Sequence, residues 1–92
     1  MAIHELKTDP AVFKAVVVVG DKNFELRKND RAFEVGDLLL LQETTRTGAE
    51  IAAGAPLEYT GRDYVARVEY ILVGPIYGLA DGWCIMAING GN

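Results

Sequence analysis

Residues 20–27 read Gly-Asp-Lys-Asn-Phe-Glu-Leu-Arg. The stretch opens with a glycine, which commonly ends a helix because it readily adopts the left-handed backbone conformation. Its second half alternates polar and apolar side chains, which is the period of a β-strand with two distinct faces. The stretch therefore predicts a transition from a helix to a half-buried strand.

The alternation divides the side chains of this strand between two faces. Phe24 and Leu26 are expected to face the core, and Glu25 and Arg27 to project from the opposite face. Because Lys22 lies in the turn before the strand, its ammonium group should share that second surface. The surface is either a solvated strand face with an ion pair, or a polar cleft for an anionic or hydrogen-bonding ligand.

The residues before this stretch predict one strand and one helix. Residues 3–7 alternate loosely and indicate a short strand. For residues 10–19 we predict a helix, because Pro10 suits a first helical position and Thr8 or Asp9 can cap it. Three apolar side chains share one helical face: Phe13, Val16 and Val17. Four consecutive valines favour a strand by local propensity, but the capping residues favour the helix.

The residues after this stretch predict three more strands, at 38–43, 63–72 and 83–88. The first of them is apolar enough to be buried on both faces. Residues 44–62 form a polar excursion whose tip, residues 48–54, is expected to be mobile. Alternation in the second strand places five side chains on one face: Tyr64, Ala66, Val68, Tyr70 and Leu72. We expect residues 89–92 to fray.

These elements predict an α+β fold in a single domain, residues 1–92. Five or six strands accompany one main N-terminal helix, and the chain lacks the alternation of strands and helices that marks a parallel sheet. A small mixed β-barrel fits this pattern, because closing the sheet removes exposed strand edges that so short a chain cannot otherwise cover.

The charge distribution excludes one class of function. The chain has 92 residues, with 9 basic and 13 acidic side chains and a net charge of −4. Residues 1–31 carry six basic and five acidic groups (+1), whereas residues 32–92 carry three and eight (−5). The total argues against nonspecific binding of long nucleic acids, which depends on many phosphate contacts. It permits a local basic patch in the first third of the chain.

Cysteine and histidine usage excludes two kinds of site. The one cysteine, Cys84, cannot form an intramolecular disulfide and is either a small buried hydrophobe or a reactive thiol. One cysteine and one histidine cannot build a structural zinc site, so we expect no metal, and nothing indicates a cofactor.

No apolar run approaches the ~18 residues of a membrane span, and the start lacks a signal-peptide pattern, so a cytoplasmic protein is expected.

The pattern Gly20-x-Lys22-x-x-Glu25-x-Arg27 resembles the G-x-K-x-x-E-x-R signature of the ASCH domain, a PUA-like β-barrel. The resemblance extends over residues 3–88 and is closest to small bacterial and phage proteins of unknown function. Its further blocks are His4-Glu5-Leu6-Lys7, Arg27-Lys28-Asn29-Asp30-Arg31, Val35-Gly36-Asp37, Tyr59-Thr60-Gly61-Arg62 and Tyr77-Gly78-Leu79. It implies a barrel with a cleft beside the helix, where the signature residues gather.

The resemblance implies binding of RNA or a nucleotide, which is the function generally proposed for ASCH domains. Some small members resemble amidohydrolases of N4-acylated cytidines, and the catalytic residues implied here are Lys22 and Glu25. A third catalytic glutamate has no matching motif, and Glu69 is a candidate by its chemistry only. A third alternative is a phage-type accessory that binds proteins.

The role of Lys22 depends on two opposing effects. Burial in a cleft would favour the neutral amine and a role as a base, whereas direct pairing with Glu25 would keep the ammonium charged and suit ligand binding. The sequence leaves these alternatives open.

Four further side chains are candidates for binding the ligand. Arg27 suits a phosphate or carboxylate through its planar guanidinium, and Lys7 on the neighbouring strand adds a positive group. Arg31 is expected at the mouth of the cleft. Tyr77 lies in a turn between Gly74 and Gly78, and it either stacks on a base or closes the end of the barrel.

Three other residues are interpreted from their positions, and two of them have competing interpretations. His4 is either a general base near Lys7 or a structural hydrogen bonder. Trp83 begins an apolar strand and is expected to pack in the core. Arg62 either faces the same cleft mouth or solvates a loop.

Overall fold

A five-stranded sheet forms the body of the protein in the computed structural model, which describes residues 1–90. The strands in chain order are β1 Ile3–Thr8, β2 Phe24–Lys28, β3 Leu38–Thr44, β4 Tyr59–Val73 and β5 Trp83–Gly90. Helix α1, Pro10–Phe13, continues directly into a π-helical segment, Lys14–Val19, and helix α2, Gly48–Ala52, lies between β3 and β4.

The spatial order of the strands is β1-β3-β4-β5-β2, so the first two strands of the chain are the two edges of the sheet. β1 pairs with β3 in parallel, and the other three pairings are antiparallel. The sheet curls into a half-barrel that brings its edges toward each other. The structure is therefore consistent with the predicted small mixed barrel of five or six strands, in the form of a curled half-barrel of five strands.

An open seam remains between the edge strands β1 and β2. Two arginine side chains cross it: Arg27 Nη2 donates to the carbonyl oxygen of Lys7 at 3.1 Å, and Arg31 Nη1 donates to that of Glu5 at 2.6 Å. Within residues 1–90 no backbone pairing joins β1 to β2. Side chains therefore satisfy carbonyl groups that a further strand would bind in a closed barrel.

The core lies on the concave face of the sheet. Fully or almost fully buried side chains line it, chiefly Leu39, Leu41, Ala66, Val68, Cys84 and Met86. β3 buries one face completely and the other partly, which is less than the complete burial expected. Cys84 has no exposed surface, and this burial raises the pKa of its thiol, so it serves as a small apolar side chain.

The predicted helix changes its winding after one turn. Phe13 and Val16 face the core as expected, but residues 14–19 adopt the wider π-helical winding, and the N–H of Gly20 bonds the carbonyl of Ala15 at 3.0 Å. Gly20 ends the segment with a positive φ of 78°, as predicted. Asp9 does not cap α1 through its side chain, because its carboxylate accepts a hydrogen bond from Gly48 N–H at 2.9 Å instead.

A β-bulge shifts the face pattern of β4. Ala66 and Val68 are buried as expected, but the register shifts between Val68 and Tyr70. Tyr70 is consequently 63% exposed, and Ile71 packs against the core in its place. The extra residue brings Ile71 rather than Tyr70 to the core, while Leu72, expected on the same face as Tyr70, is partly buried and Val73 is exposed.

The structure adds detail to one predicted loop and contradicts one predicted end. The tip expected to be mobile, residues 48–54, contains α2, which begins with a capping box between Thr47 and Glu50 and was not predicted. Asn89 and Gly90, which were expected to fray, belong to β5 and pair with β4. Residues 91 and 92 of the same prediction lie outside the described residues. No helix within residues 1–90 has the length and hydrophobicity needed to cross a bilayer.

Asp37 anchors the N-terminal strand from the turn before β3. Its buried carboxylate accepts hydrogen bonds from Ala2 N–H at 3.0 Å, from His4 Nε2 at 2.8 Å and from Glu34 N–H at 3.0 Å. These donors, with Ala2 the strongest, lower the pKa of Asp37 from 3.8 to about 2. His4 therefore makes a structural hydrogen bond, which is one of the two roles predicted for it.

Because of Asp37, the free energy of unfolding should decrease in acid. Because its pKa is lower in the folded state, the unfolded state binds more protons between about pH 5 and pH 2, and the free energy of unfolding must fall as the pH falls through that window. Urea unfolding measured from pH 7 to pH 2.5 should show this loss, and Asp37→Asn should reduce the slope. An unchanged slope in Asp37→Asn would contradict the assignment.

Candidate functional site

Strand β2 turns its charged side chains inward, which is the reverse of the predicted orientation. Glu25 is only 2% exposed, whereas Phe24 is 44% and Leu26 is 50% exposed. The alternation is present, but its phase is opposite to the one that hydrophobicity suggests. A carboxylate tolerates such burial only when it is paired and hydrogen-bonded, and its neighbours Lys22 and Arg27 supply both.

The Glu25 carboxylate bridges two cations. Lys22 Nζ lies 3.0 Å from its Oε1 atom, and Arg27 Nε lies 3.0 Å from its Oε2 atom. Lys22 also donates to the carbonyl oxygen of Phe24 and lies 4.7 Å from the centre of the Phe24 ring. The three charged groups form a cluster with a formal charge of +1.

Local backbone geometry places the two cations on opposite sides of Glu25. Residues 25 and 27 lie two apart on β2, so they share a face. The left-handed turn at Gly20 brings Lys22 back beside the strand, and the N–H of Lys22 bonds the carbonyl of Ala15 at 3.2 Å. The helix end and the strand therefore position the cluster together.

Both cations keep unused hydrogen-bond donors. An ammonium group has three donors and a guanidinium has five. Lys22 uses two of them on Glu25 and Phe24, and Arg27 uses two on Glu25 and the Lys7 carbonyl. Their side chains are 20% and 25% exposed, so neither cation is fully closed off from solvent.

A groove of about 330 Å³ lies over this cluster at the open seam. Its lining includes Lys7, Asp9, Lys22, Phe24, Glu25 and Arg27. A second depression of about 390 Å³ continues from it toward α2 and shares Lys7, Asp9 and Arg27. Each volume is within the range of small-molecule sites, about 300–1,000 Å³.

The structure brings four of the six candidate ligand-binding residues to one groove: Lys7, Lys22, Glu25 and Arg27. Arg31 lines an adjoining depression on the other side of Arg27. Tyr77 is not brought to the groove, because it lies in the turn between β4 and β5 and is 91% exposed. Glu69, the candidate third catalytic glutamate, is also absent from the lining and pairs with Arg67 at 3.0 Å.

Glu43 is a third buried carboxylate, beside Glu25 and Asp37, and no motif in the sequence predicted it. It accepts two hydrogen bonds from Arg62, both 2.8 Å, and one from the Thr60 hydroxyl at 2.7 Å. The Arg62 bonds, followed by that of Thr60, hold the pKa of Glu43 below its usual value. Arg62 thus joins β4 to β3 at the point where the loop that carries α2 leaves the sheet. Its guanidinium lies 5.5 Å from the Phe13 ring centre.

This pairing joins residues 19 positions apart. A short-range pattern in the sequence carries no signal for such a contact. Within residues 1–90, no three His, Cys, Asp or Glu side chains are grouped so that they could hold a metal ion.

Replacing Glu25 with glutamine should destabilise the fold. The substitution keeps the size of the side chain but removes the charge that Lys22 and Arg27 share, and we expect a loss of about 1–3 kcal/mol in the free energy of unfolding. Glu69→Gln, which alters an exposed ion pair, is the matched control and should change stability by less than about 1 kcal/mol. Urea unfolding followed by circular dichroism measures both, and equal effects would refute a structural role for Glu25.

Comparison with known families adds one finding. Residues 3–88 match the family model described as Domain of unknown function (DUF3850). No curated protein matches the sequence. Because the match covers nearly the whole chain, with the cluster at β2 and both edges of the seam inside it, this protein belongs to the family Domain of unknown function (DUF3850).

Proposed function

We propose that this protein is a cytoplasmic binding module for a nucleotide or the end of a short single-stranded RNA, built on a PUA-like half-barrel of the ASCH type. The ligand occupies the groove at the seam between β1 and β2. The observation that carries the proposal is the pair Lys22 and Arg27, which Glu25 holds in place while both retain free donors.

The donor set of the groove suits a phosphate group. Arg27 offers a planar guanidinium that can bind two oxygen atoms at once, and Lys22 offers a compact ammonium. Lys7 adds a third cation to the same lining. Because Glu25 fixes Lys22 and Arg27 before a ligand arrives, binding requires little ordering of either side chain.

The size of the cationic surface limits the ligand. The protein is acidic overall, with a net charge of −4, and the groove holds three cations beside Glu25 and Asp9. Such a surface can neutralise one or two phosphates but cannot follow a long polyanion. A nucleotide or a short single-stranded end fits this limit, and bases in single strands are accessible to protein side chains.

An amidohydrolase acting on N4-acylated cytidine is the second candidate. The 3.0 Å contact between Lys22 and Glu25 favours it, because these are the catalytic residues that the ASCH resemblance implies. However, a carboxylate and a carbonyl oxygen both accept hydrogen bonds from the lysine. That arrangement suits donation to a ligand better than abstraction of a proton. Binding is therefore the first proposal, and an accessory that binds another protein is the third.

Substitutions at the two cations should weaken binding. Isothermal titration with cytidine 5′-monophosphate and fluorescence anisotropy with a labelled RNA tetranucleotide measure the affinity. Lys22→Ala removes a charge-assisted contact and should weaken both ligands about tenfold. Arg27→Lys keeps the charge but loses the planar fork, and it should weaken them by a similar factor, about tenfold.

Arg67→Ala is the matched control, since it removes one positive charge from an exposed pair on β4, the central strand of the sheet. Its affinities should stay within about twofold of the wild type. Absence of binding by the wild-type protein would refute the proposal and leave the protein-binding alternative. Release of cytidine from N4-acetylcytidine, measured by chromatography and abolished in Lys22→Ala, would favour the amidohydrolase instead.

A further inference from the structure

The depression that Arg31 lines, on the other side of Arg27 along the seam, has a volume of about 310 Å³. Leu26, Phe33 and Trp83 form its apolar part. Arg27, Lys28 and Arg31 supply three positive charges to its lining, and Asp30 supplies one carboxylate, so the charged part has a net positive charge. An apolar surface with an aromatic ring beside several cations is the combination that single-stranded nucleic acids require.

The groove at Lys22 and the depression at Trp83 adjoin each other along the seam. Leu26 and Arg27 line both of them, so the guanidinium stands between the groove at Lys22 and the depression at Trp83. Arg27 uses donors on each wall of the seam, since it bonds Glu25 on β2 and the Lys7 carbonyl on β1. A phosphate bound to its free donors would therefore have one depression on either side.

Trp83 is placed to act as a stacking surface. It begins β5, opposite Lys28 of β2, and is partly exposed rather than packed in the core as expected. The Lys28 ammonium lies 6.0 Å from the centre of its ring, at the outer limit of a cation–π contact. Lys28 itself is exposed, so it can leave the ring for a phosphate when a base stacks there.

We infer that the depression at Trp83 is a second nucleotide subsite. A base stacks on the indole, Arg27 binds the phosphate that links it to the nucleotide in the groove at Lys22, and Arg31 lies at the outer end. The preferred ligand is then a dinucleotide unit of single-stranded RNA rather than a single nucleotide. This inference rests on the proposed function and extends it to the length of the ligand.

The fluorescence of the protein tests the inference directly, because Trp83 is its one tryptophan. The probes are cytidine 5′-monophosphate and the dinucleotide pCpC. Stacking on Trp83 should quench the emission with pCpC, which should bind about tenfold more tightly than the mononucleotide. The mononucleotide should bind at Lys22 with little quenching.

Variants at residue 83 provide the control. Trp83→Leu keeps an apolar side chain but removes the stacking surface, and it should weaken pCpC about tenfold while leaving mononucleotide affinity within about twofold. Trp83→Phe keeps an aromatic ring and should retain most of the affinity for pCpC. Circular dichroism checks that each variant is folded, and the quenching experiment needs no variant.

The outcomes separate the two proposals. Suppose that Lys22→Ala weakens binding of the mononucleotide, but that pCpC binds no more tightly than the mononucleotide and does not quench Trp83. The second subsite is then refuted and the proposed function stands. If the mononucleotide alone quenches Trp83 fully, the base lies at Trp83 and the two-nucleotide arrangement is wrong. If neither probe binds, the proposed function fails, and the subsite with it.

Discussion

The open seam between β1 and β2 is the constraint on which the rest of the structure depends. Edge strands expose rows of backbone donors and acceptors, and proteins normally cover them or pair them. Here Arg27 and Arg31 extend from β2 and the turn after it to the carbonyl groups of β1. Side chains hold the edges together without filling the space between them. The seam consequently remains a groove.

Arg27 links this closure to the candidate site. The same guanidinium bonds a β1 carbonyl and the buried carboxylate of Glu25, and Glu25 in turn holds Lys22. The cluster therefore stabilises the half-barrel and orients the donors that face the groove. A ligand that binds these donors would contact the same side chains that hold the edges of the sheet together. Binding of such a ligand would therefore raise the free energy of unfolding.

The sequence predicts the elements of this fold better than their orientation. Alternation identifies β2 correctly, but hydrophobicity places Phe24 and Leu26 in the core, and the structure buries Glu25 between them. A period of two carries no information about phase, which depends here on whether Lys22 and Arg27 can neutralise a buried carboxylate. The bulge before Tyr70 also changes which side chain faces the core, because one extra residue brings Ile71 inward where alternation places Tyr70.

Contacts between distant residues explain most of what the sequence does not predict. Asp37 bonds Ala2 and His4, more than 30 positions away, and Glu43 bonds Arg62 across the α2 loop. In a local pattern these carboxylates look like ordinary polar residues at the ends of strands. By contrast, Lys22, Glu25 and Arg27 are close in sequence, and so their grouping could be predicted even though their burial could not.

The distribution of charge follows from the same contacts. Among the described residues, three carboxylates are buried, Glu25, Asp37 and Glu43, and each is matched to its own donors. The net charge of −4 is the balance of all 13 acidic and 9 basic side chains, these three included. Five of the nine basic side chains line the depressions along the seam: Lys7, Lys22, Arg27, Lys28 and Arg31. If the groove binds phosphate groups as proposed, the surrounding acidic surface would repel long polyanions, and the length of the groove, rather than the total charge, would limit the size of the ligand.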